Sequence, residues 1–275
     1  QSNTTPLTTV QMLNTAIATF DSALAIVDGD ELARVGKARA LMDLGGANIA
    51  IADTVVASVT TDFVSNVLHS ENTTRENNGI FELVFSERRW TVGNNEGENG
   101  LNFASAGDPR VGVVEVGIGF DHATNVIGPL KDSTRSTPQV LASGVEARLI
   151  EAEAALDAGQ TTTWLADLNA LRAGFAGGGL APLTDPGDFN SRLLLTMRER
   201  AFWMYATDHR LGDMRRLTRA TADGGYGFDI NSVYPIGQWH GSASLVYGTD
   251  VNFPVPFEEG NNPNFNASAC DVTTP

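Results

Sequence analysis

The sequence has 275 residues, of which 42% are hydrophobic and 19% charged, and its formal net charge is −15. That is too apolar for a disordered chain and long enough for one large domain or two small ones with a proper core. The acidic balance argues against nucleic acid as a partner, because phosphate binding needs a basic surface, and it disfavours an anionic membrane face.

Helices are expected first. Thr8 and Gln11 have capping-box spacing, and Val10, Leu13, Ile17, Phe20 and Leu24 recur at three- and four-residue steps. Gly29 and Asp30 punctuate that helix. A second, with Val35, Ala38, Leu41 and Leu44 inward, should end at Gly45-Gly46, and a third should follow over 47–59. Residues 69–143 change character, becoming rich in Asn, Gly and Thr. The runs 80–85 and 111–116 are strand candidates there, separated by the polar loop Asn94-Asn95-Glu96-Gly97-Glu98-Asn99-Gly100.

Helical periodicity resumes over 144–220. Val145, Leu149, Ala152 and Leu156 form one stripe before Gly159, and Trp164, Leu168 and Leu171 form the next. Ala38, Ala40, Asp43, Gly45, Ala52 and Asp53 match Ala152, Ala154, Asp157, Gly159, Ala166 and Asp167 without a gap, a degenerate repeat of a helix-turn-helix unit. After Gly177-Gly178-Gly179 one long helix is predicted over 189–220. The segment 221–275 returns to loops dense in Gly, Asn and aromatic residues. The fold class expected is mainly α: helix pairs like those of tetratricopeptide repeats, scaffolding long irregular loops with a few short strands.

Catalytic signatures are lacking. No GxSxG elbow, phosphate-cradling glycine loop or HExxH is present, and the histidines (His69, His122, His209, His240) are scattered. His209 and Asp213 have metal-compatible helical spacing, but a local charge pair within an arginine-rich network explains them as well. The loop from Asn94 to Gly100 and Glu258-Glu259-Gly260-Asn261-Asn262 offer calcium-type oxygens without calcium-loop spacing, so calcium is possible but unsupported by a motif. Solvated acidic turns are the alternative. A glycosidase carboxylate pair is not singled out. Cys270, the single cysteine, rules out an internal disulfide framework and leaves an intermolecular bridge open. Sequons occur at Asn3, Asn72 and Asn266. No apolar run reaches the roughly 20 residues needed to span a bilayer. The polar opening Gln1-Ser2-Asn3-Thr4-Thr5 leaves two expectations: an exported, trimmed protein, or a natural start upstream.

Loop aromatics carry the stronger signal. Trp90 borders the irregular middle, while Tyr226, Phe228, Tyr234, Trp239 and Tyr247 crowd the tail beside Gln238 and His240. A flat ring can stack on the apolar face of a sugar while neighbouring amides and carboxylates bind its hydroxyls; equally, such rings can pin a long loop onto helices. The candidate ligand residues are Trp90, Asn94, Asn95 and Asn99 on one wall, and Trp239 and Tyr247 on a second. Trp164 and Trp203 are expected in the core.

Four segments, in order, resemble the SusD/RagB family. Residues 195–216, with Arg198-Glu199-Arg200 at the start, His209-Arg210 after a small-residue turn and Asp213-Met214-Arg215-Arg216 at the end, resemble its hallmark helix. Residues 146–154 resemble its RL-x-x-AEA helix, and Leu168-Asn169-Ala170-Leu171-Arg172-Ala173 its LN-x-x-RA helix. Asn252 to Glu259, followed by Asn262-Pro263-Asn264, resembles its closing PIP-x-x-E…NP motif. The resemblance implies a TPR-like, non-enzymatic surface lipoprotein of the Gram-negative outer membrane. Such a protein binds glycans, or sometimes other polymers, and delivers them to a TonB-dependent SusC-like transporter.

The resemblance makes Glu153, Arg172, Glu199, Arg200, Arg210, Asp213 and Arg216 structural, spaced for ion pairs that lock helices together. The match covers the C-terminal two-thirds of the family pattern, without its lipid-bearing cysteine and early helices, and Asp208 stands where the family commonly has glycine. The alternative is a structural or self-assembling extracellular scaffold built on the same fold, for which the exposed loops and Cys270 would also serve.

Overall fold

The computed structural model describes residues 7–239, 241, 244–263, 265 and 272–274. His240, Asn264, Cys270 and the sequons at Asn3 and Asn266 lie outside the described residues. The chain is mainly helical, with two small antiparallel sheets.

Three helices open it: α1 (Thr9–Ile26), α2 (Glu31–Leu44) and α3 (Asn48–Val56). The Thr8–Gln11 capping box forms at the start of α1, and Asp30 caps α2 by accepting from the Ala33 amide. The apolar stripe of α1 is only half-buried, because α1 packs mainly on α2 and its outer face is open. Strand β1 (Val64–Val67) follows and pairs with the later β4 (Gln139–Ser143), with a bulge between Ser65 and Asn66.

The run 80–85 is not a strand. A helical turn, α4 (Gly79–Phe81), passes into a π-helical turn over Glu82–Ser86. The Asn78 side chain accepts from the Phe81 amide, and Phe81 stacks on Phe85 one turn on, with ring centroids 5.4 Å apart. An apolar run this short reads equally as strand or helix until its cap and its neighbours decide. The next strands, β2 (Val113–Ile118) and β3 (Asn125–Pro129), form a hairpin.

The second helical half centres on α5 (Gly144–Asp157), which β4 feeds directly and Ser143 caps. Helix α5 is buried on two sides. Ala147, Ile150 and Ala154 face the core shared with α2 and α3, while Leu149, Ala152 and Leu156 face α6 (Thr161–Ala173) and α7 (Phe189–Trp203). A helix apolar on both sides belongs in the middle of a fold. The internal repeat maps onto these elements: α2 with α3, and α5 with α6, are the corresponding packed pairs. Gly45 and Gly159, the matched glycines, end their first helices with φ of +67° and +72°, backbone that residues with a Cβ adopt at a cost.

The predicted long helix over 189–220 is broken. Helix α7 stops at Trp203, a turn over 204–209 follows, and α8 (Arg210–Thr218) starts anew. Ala206 and Asp208 hold φ of +51° and +63° in that turn, which no continuous right-handed helix can accommodate. A short helix, α9 (Ile230–Val233), and a 3-10 turn over Phe257–Asn261 complete the tail. Tyr226, Phe228 and Tyr234 pack the tail onto the helical core, as rings that pin a loop do. Trp164 is fully buried and Trp203 half-buried against Phe175. Among the described residues no helix is long and apolar enough to cross a membrane.

Candidate functional site

An open cleft of about 530 Å³ lies where the π-turn, the β2–β3 hairpin and the tail meet. Trp90, Phe120 and Trp239 all line it, so two rings singled out from the sequence, 149 positions apart, arrive in one place. Each is held by its backbone. The Trp90 amide donates to the Leu83 carbonyl, where the π-turn leaves acceptors free, at 3.2 Å. The Phe120 amide donates to the Arg88 carbonyl at 2.9 Å, tying the second ring beside the first. Trp90 is 61% exposed and Phe120 60%, so both rings present surface to solvent.

The third ring comes on a hairpin. The Trp239 amide donates to the Leu245 carbonyl, and that of Tyr247 to Gly237, both at 2.9 Å. This hairpin docks on the 94–100 loop. Asn99 donates to the carbonyls of Asn231 (3.0 Å) and Tyr234 (2.9 Å) and accepts from the Ile236 amide (3.1 Å). The Tyr247 hydroxyl donates to the Glu96 carboxylate, and that bond together with burial pushes the phenol above its ordinary range.

The polar loop is therefore a joint. Asn94 accepts from the Ser105 amide and hydroxyl through its Oδ1, and Asn99 is bonded to the tail through both ends of its amide. Asn95 is exposed at φ +55°, its amide bonded to Leu101. Tyr247 buttresses the Trp239 hairpin from behind.

The cleft's polar groups are ones the sequence did not single out. Arg89 lies 3.9 Å over the Phe120 ring and pairs with Glu87 at 3.1 Å. Arg88 holds a left-handed backbone at φ +54°. Asp121 accepts from the Thr124 hydroxyl at 2.6 Å and from two backbone amides, which holds its carboxyl down at about 2. Arg88 and Arg89 directly precede Trp90, so their proximity was readable. Phe120 and Asp121 carried no signal before the hairpin was placed.

The arginine-rich helices build separate clusters. In one, Arg216 grips Glu153 with both terminal nitrogens (2.5 and 3.1 Å) and reaches Asp213 at 2.8 Å. Arg200 meets Asp213 at 3.1–3.2 Å, and Tyr226 donates to Glu153 at 2.9 Å. All four charged groups are buried, and the two guanidiniums hold Asp213 far below the ordinary carboxylate range, overcoming the opposing effect of burial. In a second cluster Glu199 takes Arg172 and Arg110, each at 2.7 Å, with Arg110 also bound to Asp108. Arg110 comes from the loop region and was not singled out from the sequence. Arg210 is half-buried on α8 within the field of Asp213, without an ion-pair contact among the described residues.

A third group joins Glu146 to Arg39 (2.7 Å, two bonds) and to His209 (3.2 Å). Burial works to raise the Glu146 carboxyl, and these two partners outweigh it, setting it at about 2. Among the described residues no cluster of His, Cys, Asp and Glu could hold a metal ion, and His209 and Asp213 go to different partners.

Comparison of the chain with protein-family models, with curated proteins and with solved structures finds no match. The SusD/RagB resemblance therefore rests on the motif residues. In the fold these act as staples: Asn169 exchanges two hydrogen bonds with Leu183, and Arg148 caps the end of α3 through the carbonyls of Val56 and Val59.

Proposed function

We propose that this chain is a non-catalytic glycan-binding protein of the SusD/RagB type, exposed at the outer cell surface, with TPR-like helix pairs scaffolding its binding loops. It would hand its ligand to a TonB-dependent SusC-like transporter. The observation that carries this reading is the convergence of Trp90, Phe120 and Trp239 on one cleft rimmed by Arg88, Arg89 and Asp121. Exposed rings stack on the apolar faces of pyranoses, and fixed charged groups bind equatorial hydroxyls. The positive φ of Asp208, where the family pattern commonly has glycine, also fits the resemblance. The test is migration of the chain in native gels cast with a panel of soluble polysaccharides. Retardation by one glycan, abolished in Trp90→Ala with an unchanged melting temperature, is the expected result; no retardation by any member would sink the proposal.

A scaffold reading has its own observation: Val10, Met12 and Ile26 leave α1 with exposed apolar side chains. Light scattering decides it, since a scaffold subunit grows in mass with concentration and a binding module does not.

A further inference from the structure

A second hollow, of about 330 Å³, adjoins the aromatic cleft, since Thr91, Glu96 and Thr124 line both. Each of these three side chains is tied to its own frame. Thr91 Oγ1 accepts from the Ile127 amide at 2.9 Å, the Thr124 hydroxyl donates to Asp121, and Glu96 accepts from the Tyr247 hydroxyl. They form a polar sill between two open spaces, each within roughly the 300–1,000 Å³ of small-ligand sites.

The hollow differs from the cleft in chemistry. Among the described residues no aromatic ring lines it, and no arginine, lysine or histidine; its polar side chains are Thr91, Asn94, Glu96, Thr124 and Asn125. Two of these keep a group unspent on the protein, and their partners fix which one. Asn94 accepts from the Ser105 amide at 2.9 Å, which only its oxygen can do, so the donor Nδ2 is left without a hydrogen bond among the described residues. Asn125 donates to the Glu115 carboxylate at 2.8 Å, which only its nitrogen can do, so the acceptor Oδ1 is left. Asn94 is half-buried and Asn125 exposed, so both present surface. A donor and an acceptor in one lining suit hydroxyl groups, which serve both. A carboxylate or phosphate would serve the donor alone and would meet the like charge of Glu96.

We propose that this hollow is a second sugar subsite, so that the ligand is a neutral oligosaccharide crossing the sill of Thr91, Glu96 and Thr124. On one side its rings stack on Trp90, Phe120 and Trp239; on the other, hydroxyls of the following residues bind Asn94 and Asn125. The protein then reads a stretch of chain, and a disaccharide fills only part of the site. This rests on the glycan reading above and deepens it from a class of ligand to that ligand's charge and length.

The test is isothermal titration of the full chain with the di- to hexasaccharides of the malto, cello, laminari, xylo and manno series, with hexagalacturonate as the anionic counterpart. One neutral series should bind, its hexasaccharide at least tenfold tighter than its disaccharide. Ala123→Leu, which puts an apolar side chain into the hollow from an exposed turn, should weaken the hexasaccharide at least tenfold. Asn94→Asp, which keeps the oxygen that holds Ser105 and removes the donor, should weaken it about fivefold, as losing one hydrogen bond does. Both variants should melt close to the parent; if one fails to fold, the other and the length series carry the test. Equal affinity for disaccharide and hexasaccharide would overturn the second subsite and leave the glycan reading standing. So would unchanged hexasaccharide affinity in either folded variant, or a preference for hexagalacturonate. Absence of binding by every sugar would overturn both.

Discussion

Asp208 holds a left-handed backbone conformation that costs a β-branched residue roughly 1–2 kcal/mol and glycine almost nothing. Asp208→Val should therefore destabilise the chain by about 1–2 kcal/mol, while Asp208→Gly leaves it within about 0.5 kcal/mol, as read from denaturant midpoints. Glu151 offers a pH test at the same scale. Burial, aided by Asp53 and Asp167 and only partly offset by Arg148, pushes its carboxyl up from 4.5 to about 7. In the window between those values the folded chain binds the proton more tightly than the unfolded one. This group's contribution to stability is thus present at low pH and is lost as pH rises through about 7. Stability curves between pH 5 and 7.5 should flatten in Glu151→Gln; an identical slope in both proteins would refute the assignment.

At the scale of elements, α5 carries the two carboxylates that fasten the helices. Glu153→Gln leaves Arg216 and Arg200 facing one buried carboxylate where there were two, and should cost about 3–5 kcal/mol in unfolding free energy. Glu146 gives a complementary signature. Its carboxyl is depressed from 4.5 to about 2, so the stability it lends, about 3 kcal/mol, is fully present above pH 4.5 and lost as pH falls towards 2. Acid unfolding should shift to higher pH in Arg39→Met.

The helices on either side of α5 were legible because packing imposes a period on them: Ala38 to Ala52 and Ala152 to Ala166 repeat in step. The break after Trp203 was not legible, since residues 204–209 carry neither proline nor glycine and the turn is marked only by the left-handed backbone of Ala206 and Asp208. The run 80–85 looked β-like because six residues are too few for helical and strand periods to separate. Of the cleft, Trp90 and Trp239 were readable as loop aromatics. Their meeting was not, because it depends on Asn99 reaching residues 231–236, far along the chain. Asn99, a polar loop side chain read as a ligand group, also joins the chain to itself, which its neighbours in sequence do not reveal.

Across the whole molecule, burial is uneven. Helix α5 has ten buried residues and α1 none, and α1 meets the rest mainly through α2. Amide exchange should follow: protection in α1 at least about tenfold below that in α5, α6 and α7, which share one core and open only on global unfolding. Equal protection in α1 and α5 would mean that the outer face of α1 is covered in solution, favouring the scaffold reading. The tail has a further consequence. Trp239 sits on a hairpin whose Tyr247 hydroxyl donates to Glu96, while Asn99 holds the segment 231–236 that leads into it. No described residue of that hairpin belongs to either helical core, so substitutions on it should leave the melting temperature of the chain unchanged.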